Sequence, residues 1–226
     1  RSSYRPDTLL YMRDTGGDED FHLFSVDLTT NSSRDLTPYP KTRAAVNGVS
    51  HLHPEAVLVA MNDRDAKWHD VYRVDLASGE RTLVERNEDR IAGYQADADY
   101  KLRLAVRARE DGGQDVLEAD GEGWKQREVI PFDDSLSTGY GGFTTDGKTV
   151  YLRESRDRNT TALYAVDLAS GAKTLVFEDP RADISGGMYD PKTGVVQAVQ
   201  SNYLREEWKA LDDGLLSPFQ YFGIGG

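Results

Sequence analysis

The stretch Tyr72-Arg-Val-Asp-Leu-Ala-Ser-Gly79 returns 92 residues later, with one substitution, as Tyr164-Ala-Val-Asp-Leu-Ala-Ser-Gly171. A looser copy, Phe24-Ser-Val-Asp-Leu28, begins 48 residues before Tyr72, and Val116-Leu-Glu-Ala119 stands about midway between the two closer copies. The copies therefore follow a period of about 46 residues. An internal repeat of this length is typical of propellers and solenoids.

Apolar and polar residues alternate inside each copy, as Tyr72, Val74 and Leu76 show. A period of two is typical of β-strands. The segment Ala-Ser-Gly then leads into a second apolar run, Arg81-Thr-Leu-Val84 in one copy. A short turn between two such runs predicts a β-hairpin in which Gly79 supplies a positive φ.

Two further strand patterns precede each copy. The nearer set comprises residues 8–12, 56–60, 102–106, 149–152 and 195–199, and the earlier set, richer in small residues, comprises 45–49, 91–94, 140–143 and 184–188. Four short strands in about 46 residues are the spacing of a propeller blade, and no long window keeps a helical apolar period. We therefore predict an all-β fold, a β-propeller of about four to five four-stranded blades.

The repeat starts and stops inside a blade. It opens at what would be a second strand and ends near residues 203–211, inside a third strand. We predict that residues 1–212 form propeller blades that are partial at both ends, in an incomplete ring, and that residues 213–226 form a tail outside the repeat. The chain has no initial Met, so we expect a fragment of a longer protein. Because an incomplete ring leaves apolar faces without cover, we also expect a homo-oligomer.

The composition limits the classes of partner that this chain is expected to bind. The 226 residues carry a formal net charge of −12 and no cysteine. This charge repels phosphate and disfavours nucleic acid and anionic membranes. No apolar run approaches the roughly 20 residues that would span a bilayer, and residues 1–6 lack the apolar core of a signal peptide. We expect a cytoplasmic protein that binds neither nucleic acid nor membranes.

Several segments resemble the propeller domain of the prolyl oligopeptidase family of serine peptidases, especially its acylaminoacyl-peptidase-like branch. They are Leu10 to Leu28, Arg34-Asp-Leu-Thr-Pro38, Leu58 to Asp65, His69 to Asp75 and Phe143 to Lys148. The resemblance covers residues 8–212. The propellers of TolB-like and tricorn-like proteins use related blades.

The resemblance implies a non-catalytic role. Peptidases of this family join a propeller, which filters peptides, to an α/β-hydrolase domain that holds the Ser-Asp-His triad. The sequence has no G-x-S-x-G elbow for a nucleophile, and in its nearest match, Ser137-Thr-Gly-Tyr-Gly-Gly142, Gly139 stands where the serine would be. We expect a propeller region that gates peptide access to a hydrolase domain absent from this chain, with the remaining blades also missing. The alternative is a stand-alone TolB-like propeller that binds proteins or peptides.

Two acidic segments could suggest a site. Asp14-Thr15-Gly16 matches the aspartic-protease signature, but that chemistry needs two copies and the sequence has one. Asp18-Glu19-Asp20 could bind a hard cation, yet it lacks the spacing of a calcium loop. We interpret both as parts of an acidic turn between two strands.

A histidine pair and a glutamate pair are two further candidate sites. His51 and His53 lie next to Pro54, which predicts a turn, and no third ligand is evident. Glu206-Glu207 resembles the paired glutamates with which dipeptidyl peptidases hold the free amine of a substrate, although the aromatic residues that precede that pair are missing. We favour a solvated strand end. We predict no catalytic, cofactor-binding or metal-binding residue in this chain, and no cofactor.

Recurring aspartates are the last candidates. Asp27, Asp75 and Asp167 occupy one position of the blade. Recurrence in blade after blade favours a structural role, in which each carboxylate accepts hydrogen bonds from the turn that follows. Asp190-Pro-Lys-Thr-Gly194 and Thr145-Asp-Gly-Lys148 are also predicted to be turns.

Overall fold

The computed structural model describes residues 3–14, 16–121 and 123–216. These residues form eighteen strands in five sheets, a five-blade propeller arrangement of small antiparallel sheets. The predicted fold class is confirmed. Among the described residues the first and last sheets have three strands and the other three have four.

The blades follow one another along the chain. Blade 1 contains β1 (Thr8–Arg13), β2 (His22–Asp27) and β3 (Ser32–Asp35). Blade 2 contains β4 (Ala44–Val49), β5 (Ala56–Met61), β6 (Asp70–Asp75) and β7 (Arg81–Glu85). Blade 3 contains β8 (Gly93–Ala96), β9 (Leu102–Ala108), β10 (Gln114–Asp120) and β11 (Gly123–Ile130). Blade 4 contains β12 (Gly139–Phe143), β13 (Thr149–Glu154), β14 (Ala162–Asp167) and β15 (Lys173–Glu178). Blade 5 contains β16 (Ile184–Tyr189), β17 (Val196–Asn202) and β18 (Glu206–Ala210).

Helix is scarce in the described part of the chain. It consists of two 3₁₀ turns, Phe132–Asp134 and Asp213–Leu215, and of the single helical residue Leu216. None of the described helical residues forms a segment with the length and apolarity needed to cross a lipid bilayer. Residues 217–226 of the predicted tail lie outside the described residues, and the boundary at residue 212 stays a prediction.

The chain divides into two compact units, and the division falls inside blade 3. Unit 1 comprises residues 1–108 and 116–127, and unit 2 comprises residues 109–115 and 128–226. Each unit is described by itself below.

The core of unit 1 is centred on β5, which is apolar on both faces. Successive residues of a strand point to opposite faces. Val57, Val59 and Met61 therefore pack into one cluster with residues of blade 1 such as Leu10 and Leu23. Ala56 and Leu58 pack on the other side, in a cluster that includes Tyr94, Tyr100 and Ala105 of blade 3. Burial on both faces explains why this strand reads as a continuous apolar run.

The core of unit 2 lies between blades 4 and 5. Tyr151 and Leu163 of blade 4 pack against Ile184, Val196 and Val199 of blade 5. All five side chains are buried. Because blades 4 and 5 pack together in this unit, their first strands, β12 and β16, both belong to it.

The turns after the repeated aspartates are built as predicted. Asp75 Oδ1 accepts hydrogen bonds from the N–H groups of Ala77 and Ser78, at 2.9 and 2.7 Å. These bonds and the Ser78 hydroxyl lower the pKa of Asp75. Gly79 has a φ of 77°, and Asn31 takes the same left-handed role in blade 1 with a φ of 55°. The structural interpretation of these aspartates is confirmed.

Candidate functional site

The acidic segments lie between β1 and β2, as expected. Thr15 of the Asp14-Thr15-Gly16 signature lies outside the described residues. Asp18 Oδ1 accepts the N–H of Asp20 at 3.1 Å, and Glu19 has a φ of 61°, so the segment forms a local turn. Within residues 3–14, 16–121 and 123–216, no group of three or more His, Asp or Glu side chains could hold a metal ion.

The histidine pair occupies a turn, and its two rings have different neighbours. His51 meets the ring of Tyr4 edge-on, with centroids 5.8 Å apart. His53 stacks on Tyr100 at 5.0 Å and lies 3.7 Å from a carboxylate oxygen of Glu55. Each ring therefore packs against a tyrosine, and His53 also lies beside the carboxylates of Glu55 and Asp99.

The glutamate pair opens β18. Glu206 is exposed and makes no hydrogen bond or ion pair with any described residue. Glu207 is half-buried, and one of its carboxylate oxygens lies 3.1 Å from Arg181. The structure thus places the pair at a strand end, with one free carboxylate and one paired carboxylate.

The segment that resembles a nucleophile elbow is a strand. Gly139–Phe143 forms β12, which pairs with β13. The Ser137 hydroxyl contacts the Ser155 hydroxyl at 2.7 Å, and Ser155 donates in turn to Asp134 at 2.6 Å. This hydroxyl chain ties the connection before β12 to the end of β13.

The first strands of the blades share two features. Each of β4, β8, β12 and β16 lies at the edge of its sheet, so part of its backbone is free of sheet pairing. Each also loses register with the second strand: between Val46 and Gly48, Gln95 and Ala96, Tyr140 and Phe143, and twice in β16. Such irregularities redirect side chains and occur often next to binding sites.

In unit 2 the first strands of blades 4 and 5 border a cleft of about 250 Å³. Its walls are residues 139–142 of β12 and residues 185–187 of β16. Tyr151 and Tyr189 also line it, with ring centroids 5.3 Å apart, and Arg153 supplies a charge. This volume has room for several water molecules.

Glycines form most of both walls, for different reasons. Gly142 has a φ of +78°, a conformation that favours glycine. A side chain on Gly187 would approach the Tyr189 hydroxyl at 3.0 Å, so close ring packing requires that glycine. Gly139 and Gly141 are different: neither has a positive φ, and no atom lies within 4 Å of the space that a Cβ would fill. Their missing side chains keep the cleft open.

The polar groups of the cleft are hydrogen-bond donors. Burial raises the pKa of Tyr189, and the positive charge of Arg153 opposes that rise. Tyr189 therefore stays protonated at neutral pH. Its hydroxyl has no hydrogen-bond partner among the described residues, whereas the Tyr151 oxygen accepts the N–H of Val196 at 3.0 Å.

A second hollow on blade 4 is lined by charges that neutralise one another. Glu154 is 7% exposed and accepts from Arg156 at 2.6 Å and from Lys173 at 2.7 Å. Burial would raise the pKa of Glu154, but these two cations lower it below its ordinary value. Arg156 also bonds Glu128 at 2.7 Å. Because Glu154, Arg156 and Glu128 are paired with opposite charges, we interpret this network as structural.

Comparison with known proteins identifies a related peptidase. No protein-family model matches it. It is 61% identical, over 214 residues and 94% of its length, to dipeptidyl aminopeptidase BIII of Pseudoxanthomonas mexicana. The chain resembles part of a peptidase. That peptidase is of the prolyl oligopeptidase family, so the predicted resemblance is confirmed. The chain spans 31% of the length of this relative.

Solved structures agree on the fold. TolB from Acinetobacter baumannii is 16% identical, with a TM-score of 0.57, and the match covers 91% of this chain and 53% of TolB. A prolyl endopeptidase structure is 13% identical, with a TM-score of 0.52, and the match covers 92% of this chain and 40% of that one. At these identities the likeness shows the propeller fold alone.

The cleft is the feature that sequence reasoning missed. From the sequence, the glycine-rich segment 137–142 was interpreted only as an incomplete match to a nucleophile elbow and as part of a strand. The usable signal was the pair of glycines, Gly139 and Gly141, inside a predicted strand, where glycine weakens a strand and often marks the close approach of a ligand.

Proposed function

We propose that this chain is the propeller region of a serine peptidase and that it selects which peptides reach a hydrolase domain outside the chain. The observation that carries the proposal is the 61% identity to dipeptidyl aminopeptidase BIII along 94% of the chain, which accounts for only 31% of that enzyme. The sequence lacks the G-x-S-x-G elbow, so we assign the chemistry to other parts of the whole protein. Its partners are then peptides, the hydrolase domain and the remaining blades.

The name of the relative also suggests a role for the glutamate pair. An enzyme that removes dipeptides must recognise the free α-amine of its substrate, and a carboxylate is the natural partner of an ammonium group. Glu206 is exposed and unpaired among the described residues, whereas Glu207 is held by Arg181. We propose that Glu206 is the carboxylate that contacts the amine, whereas Glu207, its neighbour in β18, stays paired with Arg181.

Hydrolysis by the whole protein tests the proposal. Its kcat/KM should be measured for unfolded peptides of increasing length that carry the same first residues. A selecting propeller predicts a steep fall in kcat/KM with length, because large substrates cannot reach the hydrolase domain. Equal cleavage of short and long chains would contradict selection. Absence of any peptide hydrolysis would contradict the peptidase and support a TolB-like binding scaffold.

We propose in addition that the protein is cytoplasmic and forms a homo-oligomer. The support for self-association is the open edge of the last sheet: no described residue pairs with the outer edge of β18. Unpaired strand edges are templates for association with another chain. Light scattering at micromolar concentration decides this point, and a strictly monomeric protein would contradict it.

A further inference from the structure

The cleft between β12 and β16 in unit 2 contains a free guanidinium. The side chain of Arg153 is exposed and makes no hydrogen bond or ion pair with any described residue. The neighbouring arginines of blade 4 are paired, Arg156 with Glu154 and Glu128, and Arg158 with Glu178. In a chain with 39 acidic and 27 basic residues, the guanidinium of Arg153 thus remains available to an anion that the described residues do not supply.

A second donor lies at the same cleft. The Tyr189 hydroxyl has no hydrogen-bond partner among the described residues, and Gly187 lets the hydroxyl lie against the backbone of β16. Tyr189 and Arg153 both line this cleft. One guanidinium and one phenol together offer a fork of N–H donors and an O–H donor.

The glycine opposite the arginine keeps this arrangement accessible. Gly139 is the direct cross-strand partner of Arg153 in the β12–β13 ladder. Directly opposite residues share one face of a sheet, so a side chain at position 139 would stand beside the guanidinium. Neither φ nor packing requires glycine there. The backbone therefore does not require glycine at position 139, and the missing side chain leaves open space beside the guanidinium.

We propose that this cleft binds a carboxylate carried by a peptide, with Arg153 and Tyr189 as its donors. The guanidinium fork matches the two oxygens of a carboxylate. A single cation in a protein of charge −12 does not suit a polyanion, which the rest of the surface would repel. The rings of Tyr151 and Tyr189 supply apolar surface for the residue that bears the carboxylate. This inference goes beyond the proposed function, because it concerns binding and requires no hydrolysis.

The test is calorimetric titration of the whole protein with three blocked peptides. They are N-acetyl-Gly-Gly-Tyr with a free carboxylate, the same peptide as its C-terminal amide, and N-acetyl-Gly-Glu-Tyr amide. The acetyl group removes the free amine, so contact with Glu206 does not contribute. Charge-assisted bonds to a carboxylate predict at least about tenfold tighter binding of a carboxylate peptide than of the uncharged amide. The acidic peptide that binds more tightly shows whether the bound carboxylate belongs to a chain terminus or to an acidic side chain.

Variants assign the effect to the cleft. Arg153→Gln should abolish the tenfold preference, and Tyr189→Phe should reduce it several-fold. Lys192→Gln is the matched control, because it makes the same charge change on an exposed side chain of the same unit and should leave the preference intact. Gly139→Val should abolish binding without lowering the urea midpoint of unfolding, since the new side chain enters open space.

Three outcomes would overturn the proposal. They are equal binding of the acids and the amide, no binding of any of the three peptides, or an unchanged preference in Arg153→Gln. Because none of these measurements uses hydrolysis, failure here is distinguishable from failure of the proposed peptidase function.

Discussion

Asp70 is the carboxylate whose replacement should cost this propeller most. Its side chain is 2% exposed, at the start of β6. Arg64 donates to both of its oxygens at 2.7 Å, and the buried N–H of Asn87 donates to one of them at 2.8 Å. The carboxylate thus joins the connection before β6 to the connection after β7.

The cost of Asp70→Asn follows from these contacts. The amide retains one oxygen for Asn87, but its NH₂ group must face a donor of Arg64. The variant loses a charge-assisted bond and leaves the arginine without its counter-charge. Breaking a buried ion pair costs about 3–5 kcal/mol. Arg64 is 32% exposed and can be partly hydrated, so we expect the lower end, about 3 kcal/mol. For a protein of this size that is a fall in Tm of roughly 6–12 °C.

The pH dependence of stability gives a second, independent readout. Burial alone would raise the pKa of Asp70, but the bonds from Arg64 and Asn87 lower it below its ordinary value. A lowered folded-state pKa contributes stability that is complete above the unfolded pKa of about 3.9 and is lost as the pH falls through the folded pKa. The difference between wild type and Asp70→Asn should therefore be full at pH 6–7 and should shrink below about pH 4.

Urea unfolding followed by tryptophan fluorescence measures both effects, and Trp68 lies two residues from the substitution. Asp89→Asn is the control, because Asp89 is exposed and makes no hydrogen bond or ion pair with the described residues. It should change stability by less than about 0.5 kcal/mol. If Asp70→Asn cost no more than this control, or if its cost did not depend on pH, the reasoning about this buried pair would be refuted.

Two further predictions concern Gly194 and Glu206, which lie in unit 2, and the control for the first is Gly93 in unit 1. Gly194 has a φ of +70°, and a Cβ there would overlap the carbonyl oxygen of Phe143. Gly194→Ala should therefore lower the urea midpoint of unfolding clearly. In the control, Gly93→Ala, the new Cβ meets no atom within 4 Å, so the midpoint should stay unchanged or rise. Equal effects of the two substitutions would contradict the packing at the Gly194 turn. In the whole protein, Glu206→Gln should raise KM for dipeptide substrates with a free amine about tenfold or more, with a smaller effect on kcat, and an unchanged KM would exclude Glu206 as the amine partner.

The sequence by itself determined the architecture of this protein. Strands such as β6 and β14 follow from the period of two, and the turns after Asp75 and Asp167 follow from side chains that bond their own backbone. These features depend on residues close in the chain, so a single sequence contains their whole cause. The outer strands β3 and β11 were not predicted, because they are largely exposed and carry little apolar alternation.

Only the tertiary structure decided which groups meet and which stay free. The sequence shows Arg153, Arg156 and Arg158 as three similar residues, yet two of them find carboxylates and one faces a cleft. Likewise, the glycines of β12 and the Tyr189 ring come from different blades and become neighbours only when blades 4 and 5 pack. Pairing, burial and empty space depend on distances between residues far apart in the chain, which local patterns do not encode.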